Sequence, residues 1–157
     1  MGRTVVVNNV VMSWEKYLKY LDTLIPYENK NVNPKNRKTS DCVVRAIANT
    51  LGISYEEAID KCAFYAKKTC YGITSKQVTE AVLKEYGYVK MKQPKKSNGL
   101  KYYVGELNQI LTKKQLLEGV LVSMAHHESC IKNGKLQDTW DCRMKKVSNY
   151  YIKADTK

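Results

Sequence analysis

Residues 40–52 read SDCVVRAIANTLG, and the fold hangs on how this stretch is taken. Val43, Ala46, Ile47 and Thr50 recur at helical spacing, Ser40 or Asp41 stands where an N-cap belongs, and Gly52 is a C-terminal stop. The pattern predicts a helix from Cys42 to about Leu51. Cys42 then lies in the first turn, where unpaired amides and the positive end of the macrodipole stabilise a thiolate. A cysteine there is either a small buried apolar residue or a nucleophile, and this stretch alone leaves both open.

Upstream, residues 27–40 are polar, rich in Asn and Lys, and contain Pro34, which predicts an irregular surface arm. Before it, residues 5–12 read as a short β run. Ser13 caps a helix with Trp14, Tyr17, Leu18, Leu21, Leu24 and Ile25 on one face, lasting until Pro26. Downstream, Ser54 with Glu57 makes a capping box for a helix burying Tyr55, Ala58, Ile59, Cys62 and Ala66. A further helix starts near Thr74, with Gln77 completing a box, runs through Val78, Val82 and Tyr86, and ends at Gly87.

The second half changes period. Residues 88–91 predict a short strand, 93–99 a polar loop and 104–111 a short helix. Strands follow at 120–124, 126–131, 136–140 and 147–152, with Lys132-Asn-Gly-Lys135 as a hairpin turn. Helices first and antiparallel strands after give an α+β domain, a helical N-terminal half packed on a C-terminal antiparallel sheet.

Composition agrees with one globular domain: 157 residues, 43% hydrophobic and 27% charged, with three prolines and eight glycines. No apolar run is long enough for a membrane span or a secretory signal. Five cysteines form no C-x-x-C pair and match no zinc spacing, so reduced thiols in a cytoplasm, no metal and no cofactor are expected. The formal charge of +12 makes nucleic acid a possible partner without specifying one, and the 12 tyrosines pack or stack.

Cysteine catalysis needs a base, a group that orients it, and donors for an oxyanion. The only histidines are His126 and His127, adjacent on the strand half, where neighbouring side chains point to opposite faces. The hairpin brings Asp138-Thr-Trp-Asp141 back beside them, and Asp138 can hold the imidazole. The Cys42 amide and the Asn36 side chain are the candidate oxyanion donors. The ordinary alternatives are a structural histidine and turn-forming aspartates.

The order of these residues resembles the papain-like cysteine peptidases, in which the nucleophile opens the central helix of a helical half while the base and its orienting residue lie on a sheet. SDCVVRAIANTLGISYEEA, GYVKMKQPKK, NGKLQDTWDC and NYYIK are also similar to a group of small proteins of bacteriophages and Gram-positive bacteria, over roughly residues 33–153. Residues 1–30, a strand and helix extension, lie outside the likeness. The resemblance implies Cys42 as nucleophile, His127 as base with His126 as the alternative, and Asp138 as orienting residue. It further implies Trp140 as a shield over the histidine and Asn36 in the place of the oxyanion amide.

What it implies for function is a cysteine peptidase or related acyltransferase, acting on a protein or peptide in the host cytoplasm if phage-encoded. The alternative is a non-catalytic module that binds a host protein or nucleic acid through its basic surface.

Overall fold

The computed structural model describes residues 2–155. In chain order the elements are β1 (Thr4–Val7), β2 (Val10–Ser13), α1 (Trp14–Asp22), β3 (Tyr27–Asn29), α2 (Cys42–Leu51), α3 (Tyr55–Thr69), α4 (Lys76–Glu85) and β4 (Tyr88–Met91). A 3₁₀ helix (Val104–Gln109) follows, then α5 (Lys113–Glu118), β5 (Val120–Met124), β6 (His127–Lys132), β7 (Lys135–Asp138) and β8 (Val147–Lys153). The α+β class holds.

Helix boundaries follow local chemistry. Ser13, Ser54 and Ser75 each accept a hydrogen bond from the backbone N–H three residues on, satisfying a first-turn donor. The cap of α4 is thus Ser75 rather than Thr74. α1 stops at Asp22, short of Pro26, because Leu24 and Ile25 leave the helix to enter the core, where both are buried. Gly52 ends α2 at φ 68°, a left-handed conformation that suits glycine.

The sheet differs from expectation in two respects. It has six strands in the order β3-β7-β6-β5-β8-β4, and it is mixed, because β3 runs parallel to β7 while every other pair is antiparallel. Its edge strands β3 and β4 come from the N-terminal two thirds, so the halves interlock rather than stack. The run at residues 5–12 is not one strand. Asn8 and Asn9, at φ 50° and 66°, reverse it into a separate two-stranded hairpin.

Two apolar clusters flank the main sheet. One packs Val44, Ile47, Ala58, Cys62, Val78 and Val82 of the helices against Leu121 and Tyr151. The other gathers Ile25, Val104, Leu107, Val120, Val122 and Leu136 on the opposite face. α2 lies over β6 within the first cluster, with Val43 to Thr50 all buried. This burial anchors the helix and aims its first turn, with half-buried Cys42, at the start of β6.

Candidate functional site: a cysteine, histidine and aspartate in one cleft

Strand alternation places His127 and Ser129 on one face of β6 and Glu128 and Cys130 on the other. His126 does not continue the strand. It occupies the Ala125–His126 turn between β5 and β6 at φ 57° and is exposed. His127 is the residue whose ring enters the site.

The ring's Nε2 lies 2.6 Å from Oδ2 of Asp138 at the end of β7. This leaves Nδ1 for the Cys42 thiol, and hydrogen bonding with His127 lowers the Cys42 pKa. Burial opposes that shift, while the nearby Glu128 backbone N–H reinforces it. Burial would likewise lower the His127 pKa. The Asp138 carboxylate and hydrogen bonds with Cys142 and Cys42 outweigh it, pushing it up to about 11. The pair therefore favours thiolate and imidazolium.

Asp138 is 2% exposed, so its charge must be fully satisfied from within. Oδ2 also accepts from Ser129 Oγ at 2.6 Å, with the Cys142 thiol at 3.6 Å. Oδ1 accepts from Arg45 Nη1 at 3.0 Å and the Thr139 amide at 2.7 Å. Burial would raise its pKa, but these donors, His127 and Ser129 foremost, hold it down at about 2.

Arg45 ties the two halves together. Its Nε donates to Asp41 Oδ1 at 2.7 Å and its Nη1 reaches Asp138 and Thr139, with only 7% of the residue exposed. Asp41 occupies the N-cap position of α2, but its side chain makes no capping bond. Instead its Oδ2 accepts from Asn33 Nδ2 at 3.2 Å and Tyr55 OH at 2.9 Å. The first-turn amides of α2 thus keep no side-chain cap and remain available to an anion.

Trp140 lies against His127, ring centroids 4.8 Å apart and planes at 50°, at the rim of the cleft. The cleft encloses about 640 Å³ and is lined by Arg37 to Cys42, Arg45, both histidines, Thr139 and Trp140. Cys42, His127, Asp138 and Trp140 are brought together. Asn36 is not. It is exposed at φ 49°, its Oδ1 accepts from Asn31 Nδ2 at 3.3 Å, and it is not among the lining residues. The tight turn that Asn36 closes onto Asn33 holds it back from the cleft.

Sequence reasoning missed Arg45, Ser129 and Cys142. Arg45 had one local signal, its i+4 spacing from Asp41. The other two meet Asp138 only through the fold. Among the described residues, His127, Asp138 and Cys142 form a group with ligand atoms within 4.8 Å of one another, donor types that zinc accepts. A metal there would have to displace the His127–Asp138 hydrogen bond and sit beside the Arg45 cation, so the group fits its internal hydrogen bonds better than an ion. Compared with models of known families, with curated proteins and with solved structures, the chain has no match.

Proposed function

We propose that the protein is a cysteine-dependent acyl hydrolase of papain-like design, most simply a peptidase, with Cys42 as nucleophile, His127 as base and Asp138 as the orienting carboxylate. The observation that carries this reading is the 2.6 Å His127–Asp138 contact in a cleft that is also lined by the Cys42 thiol at the start of α2. The placement of nucleophile on a helix and of base and carboxylate on neighbouring strands supports the papain-like comparison.

In the reaction, the Cys42 thiolate attacks the acyl carbon, and the oxyanion faces the uncapped first turn of α2. With Asn36 outside the cleft, backbone amides carry that role. The imidazolium of His127 gives its proton to the leaving amine, the C–N bond breaks, and a thioester to Cys42 remains. Water then adds to the thioester as His127 takes its proton. Collapse releases the acid and restores thiolate and imidazolium. Asp138 holds the ring orientation and its charge throughout, and Trp140 keeps water from the His127–Asp138 contact.

The test is competitive alkylation. Cys62, Cys130 and Cys142 are buried and their thiols are pushed up, to about 11 for Cys62 and about 12 for Cys130. Cys70 is exposed and serves as the internal reference. Iodoacetamide at pH 6 should label Cys42 at least about tenfold faster than Cys70, and His127→Ala should abolish the preference. Equal labelling of the two would favour a non-catalytic module instead.

A further inference from the structure

Arg37 and Lys38, exposed on the loop that leads to Cys42, line one side of the cleft. On the far side of the Ala125–His126 turn lies a second groove of about 420 Å³, lined by Lys101, Lys145, Lys146, Tyr103, Ser148 and Ala125 among others. The two depressions are adjacent, because His126 lines the first and its neighbour Ala125 the second. All five of these cations are exposed, and none forms an ion pair among the described residues. Among the described residues, the sole carboxylate lining either depression is Asp41, which is buried and held by Arg45.

We propose that cleft and groove form one track for an acidic polypeptide, which crosses the Ala125–His126 turn and places a peptide bond beside Cys42. The choice of polypeptide rests on the hydrolase reading, because a thiolate needs an acyl carbon and a nucleic acid backbone has none. Arg37 and Lys38 take acidic side chains near the reacting bond, and Lys101, Lys145 and Lys146 take those farther along. Unpaired rim cations attract such a chain over a Debye length and fix its direction.

The experiment uses the full chain and a fluorescein-labelled decaglutamate peptide, with binding read by anisotropy at low salt. Decaglutamate should bind more tightly than a decaserine control, and the triple change Lys101→Glu, Lys145→Glu, Lys146→Glu should weaken it about tenfold or more. Arg37→Glu with Lys38→Glu should weaken it as well. Saturating decaglutamate should slow iodoacetamide labelling of Cys42 in the unsubstituted chain several-fold, the sign that the track passes over the sulfur.

Equal affinity for decaserine, an unaffected triple variant or unprotected Cys42 would overturn the track. So would tighter binding of a thymidine oligonucleotide of the same length, which would make the surface one for nucleic acid. Anisotropy does not involve the thiol. Binding without selective labelling of Cys42 would remove the hydrolase reading and leave the acidic-peptide surface, whereas selective labelling without binding would remove only the track.

Discussion

At Asp138 six donor atoms from five residues converge on two oxygens, and the charge and the position of the carboxylate have separate consequences. The carboxylate's charge holds the imidazolium, while its position holds the ring. Asp138→Asn keeps the shape and removes the charge. The His127 pKa should then fall and the Cys42 pKa should rise toward the ordinary thiol value. Once the thiol's pKa lies above the assay pH, alkylation at pH 6 should slow about tenfold for every further unit that it climbs. Labelling rates across pH 5 to 9, with circular dichroism as the check on folding, read this directly. Arg45→Met should act on stability instead. It strands the Asp41 and Asp138 carboxylates, both buried, without their shared cation, which costs about 3–5 kcal/mol. Urea unfolding measures the loss, and Arg45→Lys should recover only part of it, since an ammonium cannot reproduce the fork that reaches both acids.

Among the elements, α2 matters most, because its direction decides where Cys42 points. Its C-terminal end is set by two glycines. Gly52 adopts φ 68°, and Gly119, at φ 120°, lies so close that an added Cβ would stand 2.7 Å from the Thr50 carbonyl oxygen. Gly52→Ala should cost about 1–2 kcal/mol for the left-handed backbone alone. Gly119→Ala meets both a disfavoured φ and an immovable backbone atom, so it should cost more, and paired urea curves will rank them. Element by element, legibility followed the range of the forces. The starts of α1 and α3 were readable from Ser13 and Ser54, whose bonds are local, and α2 from its apolar spacing. α5 was not foreseen: its six residues bury nothing fully and carry no periodic signal, and its only local mark is the Thr112–Gln115 capping box. β3 was invisible for a different reason. It is three residues of a polar arm that become a strand only by pairing with β7, more than a hundred residues later.

For the whole molecule, the His127–Asp138 pair predicts a pH window for stability. The folded pKa of Asp138, about 2, lies below its ordinary 3.8, so its contribution is complete above about pH 4 and is lost as pH falls toward 2. The folded pKa of His127, about 11, lies above its ordinary 6.5, so its contribution is complete below that value and declines as pH rises toward 11. Urea unfolding should show this pair's contribution greatest between about pH 4 and 6.5. The loss on the acid side is about 2 kcal/mol, and Asp138→Asn should flatten that limb.

The sequence by itself determined the α+β class, the start of α2 at Cys42, the hairpin that returns Asp138 beside the histidines, and the position of Trp140 near them. These follow from local periodicity, capping and turn chemistry, which act over a few residues. Only the tertiary structure decided that His127 rather than His126 meets Asp138, because the β5–β6 turn falls at Ala125–His126 and sets the strand's phase. It alone turned Asn36 away, joined β3 to the sheet in parallel, and placed Arg45 between Asp41 and Asp138. Those outcomes depend on contacts between distant segments, where burial leaves each charge a single set of partners and the chain has no local signal to announce them.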